Sequence, residues 1–499
     1  MKIKKLLINT AAPLIYQLVA VVCGFVLPRL ILVYYGSEVN GLVNSITQFI
    51  AVIAYFELGM GAVVPSALYG PLARNDKDEI SKIVVSANRF YRLLAKGLLI
   101  YIVVLIIVYP IITNSDFSFS FIATLIIAMS ISSFAQYYFG IVDRLVLTAD
   151  QKGYIYYNTQ SITLVACTIV CAVIISLGFS IQIVKLATSL IYLVRPFVFR
   201  LYVNKYFDID RSITYNREPL EQKWNGIAQH IAAIVLTGSD TIVLTVFATL
   251  KDVSIYSVYY LVINGLSSIF SALIQGFQHA MGELIAKEQY NDLRHSFSWF
   301  EWLFHTLAVL IFGCALVLIV PFVLVYTKGV VDANYNTPIF GVLITLAFFF
   351  YCLRLPYNGV ILAGNHYKQT QHIFIIAAVL NITISIITVK VFGLIGVAIG
   401  TLAAMLYQTM HMAYYISKNI INWPLMNYLK QLLVDSIIMV IGCIVTWNWQ
   451  GIPLTYMAWI ILAIKVLFSW AIICVLLNLL FYRNHCYRLF KKLTSRMTK

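Results

Sequence analysis

Apolar residues run along this chain in long unbroken stretches separated by short polar segments, with little strict alternation. Runs of about 20 residues or more suit α-helices that cross a hydrocarbon layer about 30 Å thick. A closed β-barrel would instead alternate in segments of about ten residues. The pattern predicts spans at about 7–34, 42–69, 93–113, 121–142, 155–177, 181–203, 226–249, 255–282, 300–326, 339–363, 370–391, 393–416, 429–447 and 456–482. The fold class is therefore an all-α polytopic membrane protein with about 14 transmembrane helices.

The chain also repeats itself. Residues 72–82 (LARNDKDEISK) and 285–295 (IAKEQYNDLRH) share an order of aliphatic, basic and carboxylate or amide positions at an offset of 213, and 145–150 matches 360–365 at an offset of 215. Internal repeats at half-length in apolar helices are the usual plan of a secondary transporter. They predict two pseudo-symmetric six-helix bundles plus two extra C-terminal helices. The expected division is an N-terminal bundle at 1–204, a cytoplasmic linker at 205–225, a second bundle at 226–418, the extra pair at 419–482 and a basic tail at 483–499.

Composition agrees with the pattern. The chain is 61% hydrophobic and 11% charged, against about 25% charged in soluble domains. The net charge of +15 could point to nucleic acid. Yet 27 of the 35 lysines and arginines fall in connections on one side and three on the other, which is the positive-inside pattern with both termini cytoplasmic. No nucleic-acid partner is expected. The first apolar stretch is far longer than a signal-peptide core, so it reads as a retained span. The eight cysteines form no C-x-x-C and read as small buried hydrophobes. Zinc-hydrolase and phosphate-loop motifs are missing. Asp208-Ile209-Asp210 is a D-x-D in a loop too short for a nucleotide-binding domain. Neither enzymatic activity, cofactor nor metal is expected.

Polar groups inside the spans are the candidate site, because a charge at mid-membrane costs roughly 2.5–3.5 kcal/mol on insertion scales and needs a water-filled cavity or a partner. Arg29, Arg195 and Arg354 are candidate cavity residues, with snorkelling to the headgroups as the alternative for Arg29. Asn40, Asn44 and Gln48 recur at four-residue spacing on one helix, and Asn264 and Gln275 lie on a second polar stripe. Such stripes either glue helices together or line a pathway; we expect Asn44, Gln48, Asn264 and Gln275 to contact substrate. Glu57 and Asp240 are candidate ion-coupling sites. Gly59, Gly61 and Pro65 form a candidate hinge, since glycine and proline weaken the helix ladder.

These residues also carry a resemblance. Glu57-Leu58-Gly59-Met60-Gly61, followed by Ser66-Ala67-Leu68-Tyr69-Gly70-Pro71-Leu72-Ala73 and the charged loop Asn75–Glu79, resembles the hallmark of the polysaccharide transporter family. Those are the Wzx-type flippases of the multidrug/oligosaccharidyl-lipid/polysaccharide exporter superfamily. Ala67 is inserted into the family's S-L-Y register. Ser239-Asp240-Thr241 and Ile255-Tyr256-Ser257-Val258-Tyr259 are similar to its S-T-D and I-Y-S-N-Y segments, with Asp and Thr exchanged and Val258 replacing the amide. The resemblance covers most of the first 300 residues and thins afterwards. It implies a V-shaped pair of bundles in the bacterial cytoplasmic membrane. It also implies an undecaprenyl-diphosphate-linked oligosaccharide as cargo, with membrane lipid, a polysaccharide polymerase and glycosyltransferases as partners of a monomer. The same-superfamily alternatives are a multidrug or cation antiporter and a peptidoglycan-precursor flippase.

Overall fold

A computed structural model describes residues 2–57, 59–113, 115–215, 227–449 and 455–488. Fifteen α-helices run in order among the described residues: α1 Lys2–Ala51, α2 Met60–Arg74, α3 Lys77–Thr113, α4 Phe119–Ala135, α5 Ile141–Ala149, α6 Gly153–Ser176, α7 Ile181–Tyr206, α8 Ile227–Phe247, α9 Leu250–Ala286, α10 Tyr290–Tyr326, α11 Pro338–Ala363, α12 Tyr367–Phe392, α13 Leu394–Asn419, α14 Leu425–Thr446 and α15 Tyr456–Phe481. Twelve helical stretches are long and apolar enough to cross a membrane. The first of these, Ala11–Glu57, is divided by a break at Gly36, and α8 adds the shorter apolar stretch Gly238–Phe247. The all-helical, multi-pass architecture is thus as expected.

The breaks follow from residue chemistry. Gly36 takes φ 85°, ψ 174° inside α1, so two helices meet there; only glycine adopts that conformation without strain. The second of them does not continue to 69 as the apolar pattern predicts. It tightens into a 3₁₀ turn at Val52–Glu57, and α2 restarts after Gly59, which is left-handed at φ 74°, ψ 7°. Gly61 and Pro65 lie within α2, which runs on to Arg74. A second irregularity faces this one: a π turn at Gln136–Gly140 separates α4 from α5.

Three helices, α3, α9 and α10, have 37 residues each and make rods of about 55 Å, longer than a hydrocarbon layer of about 30 Å requires.

The chain forms two compact units, Met1–Ser254 and Ile255–Lys499. Helix α8, grouped with the second bundle on sequence grounds, packs in the first unit against α1 and α3. Of the linker expected at 205–225, residues 216–225 lie outside the described residues, as do 489–499 of the tail.

Within the units the pairing recurs: α4 and α6 pack on α7, and α11 and α12 pack on α13. Helices in lipid gain little from apolar burial and associate through close backbone approach and hydrogen bonds. The α12–α13 pair shows the first device. A Cβ on Gly396 would lie 2.5 Å from the Thr388 carbonyl, and one on Gly400 would lie 2.2 Å from Ser385 Oγ.

Candidate functional site

In the first unit the amide stripe of α1 faces protein. Asn40 Nδ2 donates to Ser254 Oγ at 2.8 Å, and Asn44 Nδ2 donates to the Asn40 carbonyl at 2.8 Å. Ser45 and Thr245 hydroxyls lie 2.7 Å apart, and Tyr109 donates to Ser45 at 2.7 Å. Gln48 is half-buried, its Nε2 only 2.2 Å from where a Cβ on Gly238 would stand. Arg29 is half-buried on α1 and Asp240 is 3% exposed on α8.

Arg195, on α7, donates from Nε to Thr163 on α6 at 2.8 Å, with its guanidinium carbon 3.6 Å from the centroid of the Tyr192 ring. In the second unit Arg354, 7% exposed on α11, donates to Gln408 on α13 and lies over the Tyr351 ring at 4.7 Å. Arg195 and Gln408 are 213 residues apart, so the two arginines use matching helices of the repeat in different ways. Asn264 is exposed on α9. An exposed amide on an apolar helix is expected to meet water or a polar ligand. The side chain of Gln275 lies outside the described residues.

The two helix breaks of the first unit meet through side chains. Glu57, at the end of the 3₁₀ turn, accepts a 2.6 Å hydrogen bond from Tyr137 in the π turn. Tyr91 of α3 packs 6.4 Å from Tyr137, its hydroxyl buried without a hydrogen-bond partner among the described residues. Turns of π geometry are frequent at functional sites.

Beside them opens a cavity of about 610 Å³ whose lining includes Ser86, Arg89, Arg92, Lys96, Arg211 and Tyr215, with Met60, Phe90 and Leu93 supplying apolar wall. Among the described residues no carboxylate lines it. Arg89, Arg92 and Lys96 recur at three and four residues, hence on one face of α3. Arg92 stacks over Tyr138 of the π turn at 5.3 Å. Arg211 arrives from the segment after α7, held by the buried Asp143, which takes Arg211 at 3.0 Å and Arg200 at 3.4 Å. A second guanidinium nitrogen of Arg211, NH1, is buried and has no hydrogen-bond partner among the described residues.

The D-x-D serves this placement. Asp208 pairs with Lys77 at 2.9 Å, the Asp210 amide donates to Ser81 of α3 at 3.1 Å, and the Asp210 carboxylate accepts from the Ser212 hydroxyl and amide at 2.6 and 2.9 Å. Those two donors hold the Asp210 carboxyl below the usual aspartate range.

Like charges at helical spacing repel by about 0.2–0.5 kcal/mol per pair, and guanidinium forks match phosphate oxygens in charge and geometry. The charge and donor geometry of this wall suit an anion of phosphate type. Sequence reading passed over it because these bases were counted only for topology; their spacing on α3 was the available signal.

This multi-pass helical fold has known structural counterparts. The chain is similar to the lipid II flippase MurJ in an inward closed conformation, with TM-score 0.72 at 14% identity over 96% of this chain and 99% of that one. It is also similar to an inward-facing MATE-family multidrug resistance transporter of the MOP superfamily, with TM-score 0.61 at 14% identity over 83% and 99%. For the eukaryotic MATE transporter AtDTX14 the TM-score is 0.58 at 13% identity over 86% and 97%. These likenesses define the fold. No protein-family model matches the sequence, and comparison with curated proteins gives no match.

Proposed function

We propose that this chain is a flippase that carries undecaprenyl-diphosphate-linked oligosaccharide units across the bacterial cytoplasmic membrane by alternating access, for capsular, exo- or O-antigen-type polysaccharide. Both termini lie in the cytoplasm, and the protein moves its cargo without changing a covalent bond. The observation that carries the reading is the cavity lined by Arg89, Arg92, Lys96 and Arg211, with no carboxylate among its described lining residues, in a fold like that of a lipid II flippase along nearly the whole chain. A diphosphate brings the charge that this wall lacks. Antiport of cationic drugs, the same-fold alternative, calls for carboxylates there. The Wzx-like residues from Glu57 to Glu79 favour a glycan cargo over a peptidoglycan precursor, and a glycan pathway supplies the expected polymerase and glycosyltransferase partners.

The test replaces Arg89, Arg92 and Lys96 together by glutamine and follows surface glycan in cells, with Arg29, Arg195 and Arg354 replaced singly by alanine beside it. Glycan display should fall in the triple variant while membrane abundance holds. Normal display in all four variants would remove the reading.

A further inference from the structure

Buried ionisable side chains gather a second time where α10, α11 and α14 meet. Glu301 and His305 stand one turn apart on α10, Tyr357 comes from α11 and Asp435 from α14, and their exposures are 4, 0, 1 and 1%. Their polar atoms form a line. Asp435 Oδ2 lies 2.5 Å from His305 Nδ1, His305 Nε2 lies 3.5 Å from the Tyr357 oxygen, and the Tyr357 hydroxyl donates to Glu301 Oε1 at 2.5 Å. Trp423, half-buried before α14, donates from Nε1 to Glu301 Oε2 at 3.0 Å. The hydroxyl of Tyr428, whose ring centroid lies 6.0 Å from that of His305 and 5.6 Å from that of Tyr357, is buried with no hydrogen-bond partner among the described residues.

Among the described residues the neighbours bring no compensating cation. Gln431 Nε2 reaches Asp435 Oδ1 at 3.4 Å, and Cys474 of α15 and Tyr482 beyond it feel the charge of Asp435. Trp302 is occupied by Asn478 of α15 at 2.6 Å. Arg294 donates to the Ile421 carbonyl at 2.8 Å, and Lys430 sits over the Tyr482 ring at 5.4 Å. Among the described residues His305 is the one cationic partner of either carboxylate.

Two ionised carboxylates beside one imidazolium leave a net charge of minus one in a closed site, and an unpaired buried ion costs several kcal/mol. One further proton makes the group neutral. Glu301 is furnished for both states: protonation neutralises the site, and the donors Tyr357 and Trp423 already reach one oxygen each of the ionised form. Tyr357 can pass a proton along the line. It gives its own to Glu301 Oε1 as it takes one from His305 Nε2, so the charge moves and no other bond changes.

We propose that Glu301, Tyr357, His305 and Asp435 form a binding site for one exchangeable proton, held on Glu301, and that its uptake and release bias the conformational equilibrium of the second unit. As an energy-coupling site it rests on the reading of the chain as a transporter; as a proton site it stands alone. A two-state element responds to a ligand only as far as the ligand binds its two states differently, and the charge among α10, α11 and α14 changes with this proton.

The test has two arms on the full-length protein. Infrared difference spectra between acid and neutral pH, taken in lipid nanodiscs without cargo, should show a protonated carboxyl band that disappears in Glu301→Gln and shifts in Tyr357→Phe. Tyr357→Phe keeps every charge and serves if Glu301→Gln does not fold. In cells, glycan export should fall about tenfold in Glu301→Gln and lose its sensitivity to a protonophore. A band unchanged in Glu301→Gln, Asp435→Asn and Tyr357→Phe overturns the proton site. A band that behaves as expected, with export equally protonophore-sensitive in variant and wild type, overturns the coupling role. Failure of the wild type to move any glycan strikes the function proposed above and leaves the spectroscopic arm decisive.

Discussion

Gly313 of α10 makes the room that Trp470 of α15 fills: a Cβ on the glycine would stand 1.9 Å from Trp470 Cζ3. Gly442 of α14 closes on the same indole, 2.6 Å from Cη2 by the same construction. The largest fully buried side chain of the protein thus pins the extra helix pair to the second bundle. Gly313→Ala must displace the ring, and overpacking of this kind costs about 1–3 kcal/mol. Thermal unfolding in detergent should show a lower midpoint for Gly313→Ala and Gly442→Ala, while Gly97→Ala, which meets nothing within 4 Å, should hold the wild-type value.

The left-handed turn between the 3₁₀ segment and α2 separates two neighbouring glycines. Gly59 needs its positive φ, whereas Gly61 has ordinary helical geometry and open space. Alanine at 59 should destabilise by about 1–2 kcal/mol, the cost of a left-handed L-residue; alanine at 61 should be neutral or slightly stabilising, since alanine is the better helix former. Equal midpoints for the two variants would contradict the assignment of the break.

Tyr137 and Tyr91 make a matched pair of phenols. Tyr137→Phe takes a donor from Glu57 and should cost about 1.5–3 kcal/mol, the range for hydrogen bonds to charged groups. Tyr91→Phe deletes a hydroxyl with no hydrogen-bond partner among the described residues and should leave stability unchanged or raised. Side-by-side melts of the two single variants decide it.

The turn that positions Arg211 should be indifferent to mild acid. Its carboxylate, Asp210, has a lowered pKa because Ser212 donates twice to it. A depressed folded value means the contribution is complete above the unfolded value, about 3.9 for aspartate, and fades only as pH falls through the lower folded value. Hydrogen exchange at the Ser212 amide, corrected for its intrinsic rate, should keep the same protection from about pH 8 to pH 5. Asp210→Asn should lose protection throughout that range.

The helices could be read from the sequence because a membrane span needs only length and apolarity, and Arg195 and Arg354 stood out as charges inside such runs. Their partners did not, since Thr163 and Gln408 lie on other helices and ordinary side chains carry no sign of whom they meet. The run from 42 to 69 misled because Val52–Glu57 is apolar enough to pass for helix, and its end depends on a single left-handed glycine. Glu301, His305 and Asp435 were within reach: carboxylates inside apolar segments deserve the same suspicion as arginines, and the i, i+4 spacing of Glu301 and His305 already put them on one face. The grouping of α8 was hidden for another reason. A repeat tells which helices correspond, and says nothing of which ones touch.

Helices α12 and α13 are joined by Gly393 alone, at φ 54° and ψ −127°. A single-residue elbow keeps the joined ends together, and the close approach of Gly396 to Thr388 and of Gly400 to Ser385 locks the two faces, so we expect these two rods to travel as one hairpin. A spectroscopic label on each should therefore report an invariant separation during turnover, a built-in ruler against which movement elsewhere in the second unit can be measured.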